Sequence, residues 1–564
     1  MKEPQLPITD DLPSTLPNPQ PLRFLVIGAG SRGNAYARAV TTSTPALIHA
    51  VAEPHAFKRA DLGRRYIWGE KGRPADGQEF SDWREWLDWE KRRRGRAQQQ
   101  QQQQQHPSHA GGEGVDGVFV CTLDETHVEI VTALAPLGLH ILCEKPLALS
   151  LGDCLAVYKA LSRPVAGAGA GAGASASGKG SKIFSVGHVL RYSPHNVLLR
   201  KLLLADRVIG EVVSLEHTEP VGWWHFAHSY VRGNWRRATP HGDGSLLTKS
   251  CHDLDFILWL LASPPPDPTS QGQTQTHHPR SITSTGTLSQ FRRARKPAAA
   301  GAATNCLSCP AERACIYSAV RIYRDLHLAR GDTGWPVKIV VPDIEDALSL
   351  GSSPGSEAAA EARLLARLRE DYSRAEMSDE EIARRPWYGR CVYEADNTVC
   401  DDQVVTITWD DEDGGTDGTP GGRRIAKTAV FHMIAPTEKQ CERRGRVYGT
   451  RGEIAYDSRT ISVYDFSTRS TTTIEVPKQP PEEEEAHGGG DYGLARSFVR
   501  AVGAVEQEGW DVRRAQTHFV GCTLEEAVRS HAVVFAAEEA RREEKVVRWK
   551  EWWAEKLAAA GMAP

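Results

Sequence analysis

A chain of 564 residues is too long for one ordinary core and calls for two folded domains carrying insertions. Its 68 basic and 72 acidic residues leave a net charge of −4, which offers no broad basic field to nucleic acid or an anionic membrane. The apolar fraction of 40% suits a globular protein with polar insertions, and no stretch approaches the ~18 apolar residues of a membrane span.

Residues 1–21, MKEPQLPITDDLPSTLPNPQP, are polar and proline-rich and lack the apolar centre of a signal peptide, so they read as a disordered leader. A soluble, cytoplasmic protein is the expectation. The 11 cysteines are then thiols or metal ligands rather than disulfides.

From Leu22 the pattern becomes regular. LRFLVIGAG is a short apolar run ending in glycine, as a buried parallel strand does, and NAYARAV after it has helical character. ALIHAVAEP (46–54), VDGVFVCTL (115–123) and HILCEKP predict further strands, and THVEIVTALAPLG a helix. Ser150 and Asp153 resemble a capping box, with Asp for the usual Glu, opening the helix LGDCLAVYKAL. The alternation predicts an α/β domain over 22–163, a Rossmann doubly wound parallel sheet. Two low-complexity stretches interrupt it. Basic KRRRGR followed by Gln98–Gln105 predicts a disordered insertion at about 91–114, its charge that of a solvated helix end. Residues 164–181 read as a flexible Gly/Ala/Ser loop.

Residues 182–546 differ. KIFSVGHVLRY, GEVVSLEHTEP, DDQVVTITW, KTAVFHMIA, GRVYGTRGEIAYD, ISVYDFS and TTTIEVP are strand-like, several alternating apolar with polar residues, and Tyr448–Glu453 supplies a hairpin turn. A second, α/β domain on a large, mostly antiparallel sheet is predicted, with loop insertions at about 263–280 and 350–380, terminal helices, and a tail at 547–564.

Gly28-Ala-Gly30-Ser31-Arg32-Gly33 follows the first strand and opens a helix. The first glycine permits the tight turn, the second lets backbone approach a pyrophosphate, and the third lets helix pack on strand. Glu53 ends the second strand 20 residues past Gly33, where a carboxylate accepts hydrogen bonds from a ribose diol and repels a 2′-phosphate. NAD is therefore favoured over NADP, although Arg32, His55, Lys58 and Arg59 are near enough in sequence to host that phosphate. Cys306, Cys309 and Cys315 fall within ten residues, a spacing that suggests structural zinc with Cys391, or next Cys400, as fourth ligand. Free thiols are the bland alternative.

FLVIGAGSRG, VAEP, CTLDETH, CEKPLAL, GHVLRYSP, KSCHDLD, YGTRGEI and GGGDYGLARSFVRAV, in this order, make residues 22–546 resemble the glucose–fructose oxidoreductase / inositol dehydrogenase (Gfo/Idh/MocA) family. The resemblance implies a nicotinamide cofactor bound by the Rossmann domain and a sugar, cyclitol or related polyol held between the domains. It places the lysine of EKP, here Lys145, beside the nicotinamide with Glu144 and Pro146, where it orients the reacting hydroxyl and relays its proton. His252 and Asp255 match the histidine and last aspartate of the family's D-x-G-x-H-x-x-D motif. His252 is the expected proton acceptor and Asp255 an orienting or packing group. Thr248 stands where the first aspartate belongs, a departure that puts the Asp–His relay in doubt, and Lys249 follows it. Thr122 and His127, with Asp124 between them, match a position beside the cofactor. Arg191 and Tyr192 match the domain junction and are candidates to meet substrate hydroxyls. GWWHFAHSYVRGNW, His487 and Asp491 are weaker candidates for the pocket.

The leading expectation is an NAD(P)-dependent oxidoreductase acting on a CH–OH carbon. A glycosidase with transient oxidation by bound NAD, and a non-catalytic dinucleotide-binding regulator, are the alternatives, since some relatives are of each kind. An exposed sheet face in relatives often forms dimers or tetramers, which makes a homo-oligomer the candidate assembly.

Overall fold

A computed structural model describes residues 20–103, 114–163, 182–238, 244–263, 276–349, 356–412 and 424–563. Most of the expected leader, all of 164–181 and the end of the glutamine run lie outside the described residues.

The apolar runs become a six-stranded parallel sheet ordered β3-β2-β1-β4-β5-β6. Its strands are β1 (Arg23–Ile27), β2 (Leu47–Ala52), β3 (Glu79–Phe80), β4 (Gly117–Val120), β5 (His140–Cys143) and β6 (Phe184–Val186). β4 and β5 are buried along their whole length, because helices cover both faces of such a sheet. Strand order reverses between β1 and β4, and this switch point opens the crevice where ligands bind in doubly wound sheets. The connecting helices are α1 (Ser31–Ser43), α2 (Ala56–Tyr66), α3 (Trp83–Gln103), α4 (His127–Leu134) and α5 (Leu151–Ser162). The Ser150 hydroxyl caps α5 by accepting from Asp153 N at 3.0 Å, but the shorter Asp153 side chain accepts back from that hydroxyl at 2.8 Å, so the second half of the box does not form.

The second sheet is ordered β14-β13-β12-β11-β7-β10-β9-β8-β15, antiparallel except where β7 and β10 run together. It comprises β7 (Val212–Pro220), β8 (Ser281–Thr287), β9 (Asp402–Trp409), β10 (Lys427–Ile434), β11 (Arg444–Gly449), β12 (Gly452–Tyr456), β13 (Ile461–Asp465), β14 (Ser470–Ile474) and β15 (Val547–Arg548). Every second residue of β9 is buried, as DQVVTITW implied, and Thr450-Arg451 turns β11 into β12.

Four expectations are corrected. α3 runs on through Gln103, since glutamine is a good helix former and low complexity alone does not unwind it. Ser356–Arg369, assigned to a loop, is a helix burying Ala360, Leu364 and Leu368 at helical spacing. The first sheet does not end at residue 163 but takes β6 from the segment assigned to the second domain. Residues 547–563 are no tail: β15 pairs with β8, and the helix Trp549–Ala559 buries Trp549 and Trp552.

The C-terminal helices return to the first domain. Gly490–Glu506 packs on α1, and Leu524–Arg542 packs on α5, on β8 and on the helix Cys251–Leu261. Glu506 Oε1 lies 2.9 Å from His140 Nε2 and 2.5 Å from Lys182 Nζ, and these partners draw its carboxyl down to about 2 from 4.5. A depressed carboxyl stabilises the fold above its unfolded value and loses that contribution as the pH falls. Glu506→Gln is therefore expected to remove the part of the stability change that the wild type shows between about pH 4.5 and 2, read from urea midpoints across that range. An unchanged slope would show that Glu506 plays no part.

Candidate functional site

A cleft of about 1590 Å³ runs from the switch point to the second sheet. Its first wall is the glycine loop. Gly28 has φ +94°, and a Cβ there would stand 2.6 Å from Cys121 O; a Cβ on Gly33 would stand 2.0 Å from Gly28 O. A Cβ on Gly30 would meet nothing within 4 Å. The protein itself thus requires glycine at 28 and 33, while Gly30 faces open cleft. α1 begins there with no side-chain cap and no acidic residue in its first turn, leaving its first N–H groups available to an anion.

Glu53 lies beside this loop, 9% exposed and lining the cleft. Its Oε2 accepts from Ala29 N at 2.8 Å and Oε1 from His55 N at 2.9 Å. Arg59, a candidate phosphate host, instead bonds Glu79 and Glu53 O. Arg32 is likewise committed: Nε donates to Glu144 Oε1 at 2.9 Å and both terminal nitrogens grip Asp491 at 2.8 and 3.0 Å. Burial works against the charge of Glu144, but Arg32 and the Tyr36 hydroxyl, 2.5 Å away, hold its carboxyl below the ordinary range. Asp491 also bonds His487 Nδ1 at 3.1 Å, and both of these line the cleft.

Lys145 reaches across the cleft from the end of β5, and its Nζ donates to Thr248 O at 2.7 Å. Thr122 lines the cleft and bonds Thr126. His127 does not reach the cleft: it is fully buried, with Nδ1 and Nε2 at 2.8 and 3.2 Å from Pro146 O and Thr122 O, and clamps the two loops together. Pro146 sits behind the wall and contributes that carbonyl.

The second domain supplies a buried charged cluster. Lys249 Nζ lies 2.9 Å from Cys441 Sγ and 3.1 Å from Glu219 Oε1. Burial opposes its charge, but these two groups raise Lys249 above its ordinary range, so it stands as an ammonium in the cleft. Arg443 donates to Glu219 Oε2 at 2.7 Å, Asp253 Oδ1 at 2.8 Å and His252 Nε2 at 2.6 Å. Burial lifts Glu219, while Arg443 overcomes burial and holds Asp253 down.

This geometry revises the expectation for His252. Burial, with Arg443 and both lysines nearby, pulls its pKa far down, so the ring is neutral. A guanidinium can only donate, so Nε2 accepts and the proton sits on Nδ1. His252 lines the cleft as a hydrogen-bond donor rather than a waiting base.

The four substrate-contact candidates stand elsewhere. The Thr248 hydroxyl bonds Gly244 O one helical turn back, and only its carbonyl serves the site. Arg191 grips Asp255 at 2.7 and 2.8 Å, Ser530 adds a bond of 2.6 Å, and both partners of the pair are buried. The Tyr192 hydroxyl donates to Val520 O. None of these side chains lines the cleft, because polar residues beside a pocket motif are equally needed to tie its walls. His225, His228, Tyr230 and Trp235, from the aromatic stretch, do line it. Glu219, Arg443 and Cys441 were missed, since nothing local marks residues whose ties run from Lys249 to Cys441 over 192 positions and from Glu219 to Arg443 over 224.

Among the described residues the one group with ligand atoms close enough for a metal is Glu219, His252 and Asp253, and the Arg443 guanidinium already serves all three. No three sulfurs of Cys306, Cys309, Cys315 and Cys391 come within 4.8 Å of one another. Cys400 sits apart, near Glu538 and Arg541. No helix among the described residues is long and apolar enough to cross a membrane.

Two models of one family match the chain. The model described as an oxidoreductase family, NAD-binding Rossmann fold, covers residues 22–164, and that family's C-terminal alpha/beta domain covers 201–283. A 2,7-anhydro-N-acetylneuraminate hydratase of Escherichia coli is 31% identical over 162 residues, 29% of this chain and 38% of the relative. Inositol 2-dehydrogenase 1 of Saccharopolyspora erythraea is 29% identical over 148 residues, 26% of this chain and 36% of the relative. The chain thus spans well under half the length of these relatives. Levoglucosan dehydrogenase in complex with NADH and levoglucosan superposes over 94% of this chain and 99% of its own, with TM-score 0.53 and 15% identity. An oxidoreductase from Agrobacterium radiobacter in complex with NAD+, L-tartaric acid and magnesium gives TM-score 0.52 at 12% identity, over 94% and 100%. These two likenesses concern the fold.

Proposed function

Given that the chain belongs to the Gfo/Idh/MocA oxidoreductase family, carrying both its Rossmann and its C-terminal alpha/beta domain, we propose that it is an NAD-dependent oxidoreductase acting on a secondary alcohol or ketone carbon of a sugar, cyclitol or related polyol. The observation that carries this reading is the meeting of Lys145, Lys249 and His252 in one cleft with the open Gly30 loop.

The residues fit a dinucleotide. Gly30 and the uncapped start of α1 would take the pyrophosphate, and Glu53 the ribose diol. NAD is favoured because Glu53 repels a 2′-phosphate while Arg32 and Arg59 are spent on other carboxylates. When bound, the nicotinamide supplies or takes the hydride. The protein's part is to hold the reacting C–O group and move one proton. In the reducing direction Lys145 gives a proton to the oxygen as the carbon gains hydride; in the oxidising direction it takes that proton back. Lys249 stabilises negative charge on the oxygen, and the His252 N–H orients a neighbouring hydroxyl. His225, Tyr230 and Trp235 offer ring faces to the C–H side of a sugar.

Gly30→Ala separates cofactor from fold. It is expected to leave the melting temperature unchanged but weaken NAD+ binding by about 1–3 kcal/mol through overlap with the pyrophosphate, whereas Gly33→Ala destabilises the fold itself. Equal melting loss in both variants would remove the pyrophosphate from the argument.

The direct test is calorimetric titration of the full chain with NAD+ and NADP+, then NADH formation over a panel of cyclitols, pyranoses and anhydrosugars. Binding of NAD+ with net NADH formation supports the proposal, and failure to bind either dinucleotide at millimolar concentration overturns it. A relative named as a hydratase favours one second reading, transient oxidation with no net redox change. Converted substrate without accumulating NADH would establish that reading. Tight NAD+ binding with no conversion of any compound would indicate a regulator.

A further inference from the structure

Arg232 poses a charge problem. It is 1% exposed, yet among the described residues it has no carboxylate partner. Its Nε donates to Arg390 O at 2.7 Å and Nη2 to Tyr317 O at 2.7 Å, while Nη1 has no hydrogen-bond partner. Nearby buried arginines are treated differently: Arg236 pairs with Asp396 at 2.6 Å and Arg390 with Asp371 at 2.6 Å. An uncompensated buried cation is costly, and a fold that pairs the neighbours should supply an anion here too.

A cysteine sulfur also faces Arg232. Its Nη2 also lies 3.5 Å from Cys306 Sγ, and Ala319 N donates to the same atom at 3.4 Å. The backbone N–H groups of Tyr317 and Tyr393 face the sulfurs of Cys315 and Cys391 in the same way. The backbone brings the segments together. Asn305 and Arg390 form an antiparallel bridge, with Cys306 N bonded to Gly389 O at 2.9 Å and Cys391 N to Thr304 O at 2.8 Å, so Cys306 and Cys391 flank one bridge on the same face. Cys309 N returns to Cys306 O, Glu312 N to Cys309 O and Cys315 N to Glu312 O, three successive tight turns that wind Cys309 and Cys315 back on Cys306.

We propose that Cys306, Cys309, Cys315 and Cys391 bind one zinc ion in a closed, structural site whose thiolate shell is the counter-charge of Arg232. Four thiols release four protons to solvent and give Zn²⁺ four Zn–S bonds, leaving the site with two negative charges beside the guanidinium. Cys309, Cys315 and Cys391 are only partly buried, which leaves their side chains room to turn toward a common ion. The site stands apart from the chemistry proposed above, but it braces a wall of the cleft. Arg232 ends the segment that carries His228, and His228 bonds the Tyr323 hydroxyl at 2.8 Å, on the turn of helix just after the cysteine loop.

The test uses the full chain, purified without a histidine tag. Elemental analysis should find about one zinc per chain, and a chelator should lower the melting temperature. Cys309→Ser and Cys315→Ser should lose the metal, while His252→Gln should keep it. In case those serine variants do not fold, wild type loaded with cobalt gives a second reading: sulfur-to-cobalt charge transfer and the intense visible bands of a tetrahedral thiolate site. Protein that holds no zinc and titrates all four thiols with a disulfide reagent overturns the proposal. So does zinc lost in His252→Gln but kept in the serine variants, or iron with acid-labile sulfide in place of zinc.

Discussion

Replacing Lys145 by methionine is expected to lower turnover by about 10²–10⁴, the usual worth of a positioned proton-transfer group, with little change in NAD+ affinity. The reason lies in where the ammonium stands. It stands just past β5, next to β4 at the carboxyl end of the sheet, lines the cleft, and donates across it to Thr248 O at 2.7 Å. Methionine keeps the length and apolar stem but cannot give or take a proton. The lost hydrogen bond costs about 1 kcal/mol of stability, too little to unfold the protein. Steady-state rates on whichever polyol the screen identifies, with NAD+ titrated separately, make the measurement. A variant within threefold of wild type would transfer the proton role to Lys249 or to His252 freed from Arg443. The lysine would then be a structural strut between the domains.

Asp255→Asn is expected to cost about 3–5 kcal/mol of stability while leaving the substrate KM of the remaining folded enzyme near wild type. The carboxylate is fully buried and answers Arg191 through two bonds of 2.7 and 2.8 Å and Ser530 through one of 2.6 Å. An amide cannot balance the guanidinium left behind. Burial alone would raise the Asp255 carboxyl, but Arg191 and its other partners hold it well below 3.8. Its contribution is therefore present above about pH 4 and is lost as the pH falls below that value, so the variant should also lose part of the wild type's acid sensitivity. Urea unfolding at several pH values reads both effects. A large rise in KM at unchanged stability would return Asp255 to the substrate.

The contrast between these two residues shows what the sequence could convey. The glycine loop was legible because its spacing between a strand and a helix is a local pattern, although only Gly33 is crowded by the loop itself, through Gly28, while Gly28 is crowded by Cys121 just past β4. Buried strands were legible for the same reason. The charge network was not. Arg32, in the glycine loop, is near enough in sequence to host a 2′-phosphate, yet its partner Asp491 lies 459 positions later. His252 was read as a base from its motif. The guanidinium that decides its tautomer comes from Arg443, in a loop with no pattern of its own. Arg191 and Asp255, 64 residues apart, look like substrate contacts in one dimension and like a buried tie in three. Lys249 was visible only as the neighbour of an unexpected threonine. Its importance follows from Glu219 and Cys441, which the fold brings to it.

The latch between Arg32 and Asp491 has a bearing on how the chain can be divided. The dinucleotide loop looks like the property of the first 163 residues. Yet its arginine is anchored by the helix Gly490–Glu506, and the edge beyond β5 is closed by β6. A fragment ending at residue 163 would strand an arginine without its aspartate and leave β5 open to pair with other chains. The nucleotide half is therefore not an independent module that could be cut out or grafted. It is completed by the helix Gly490–Glu506, so dinucleotide affinity can serve as a report that this distant segment has folded back onto the first sheet.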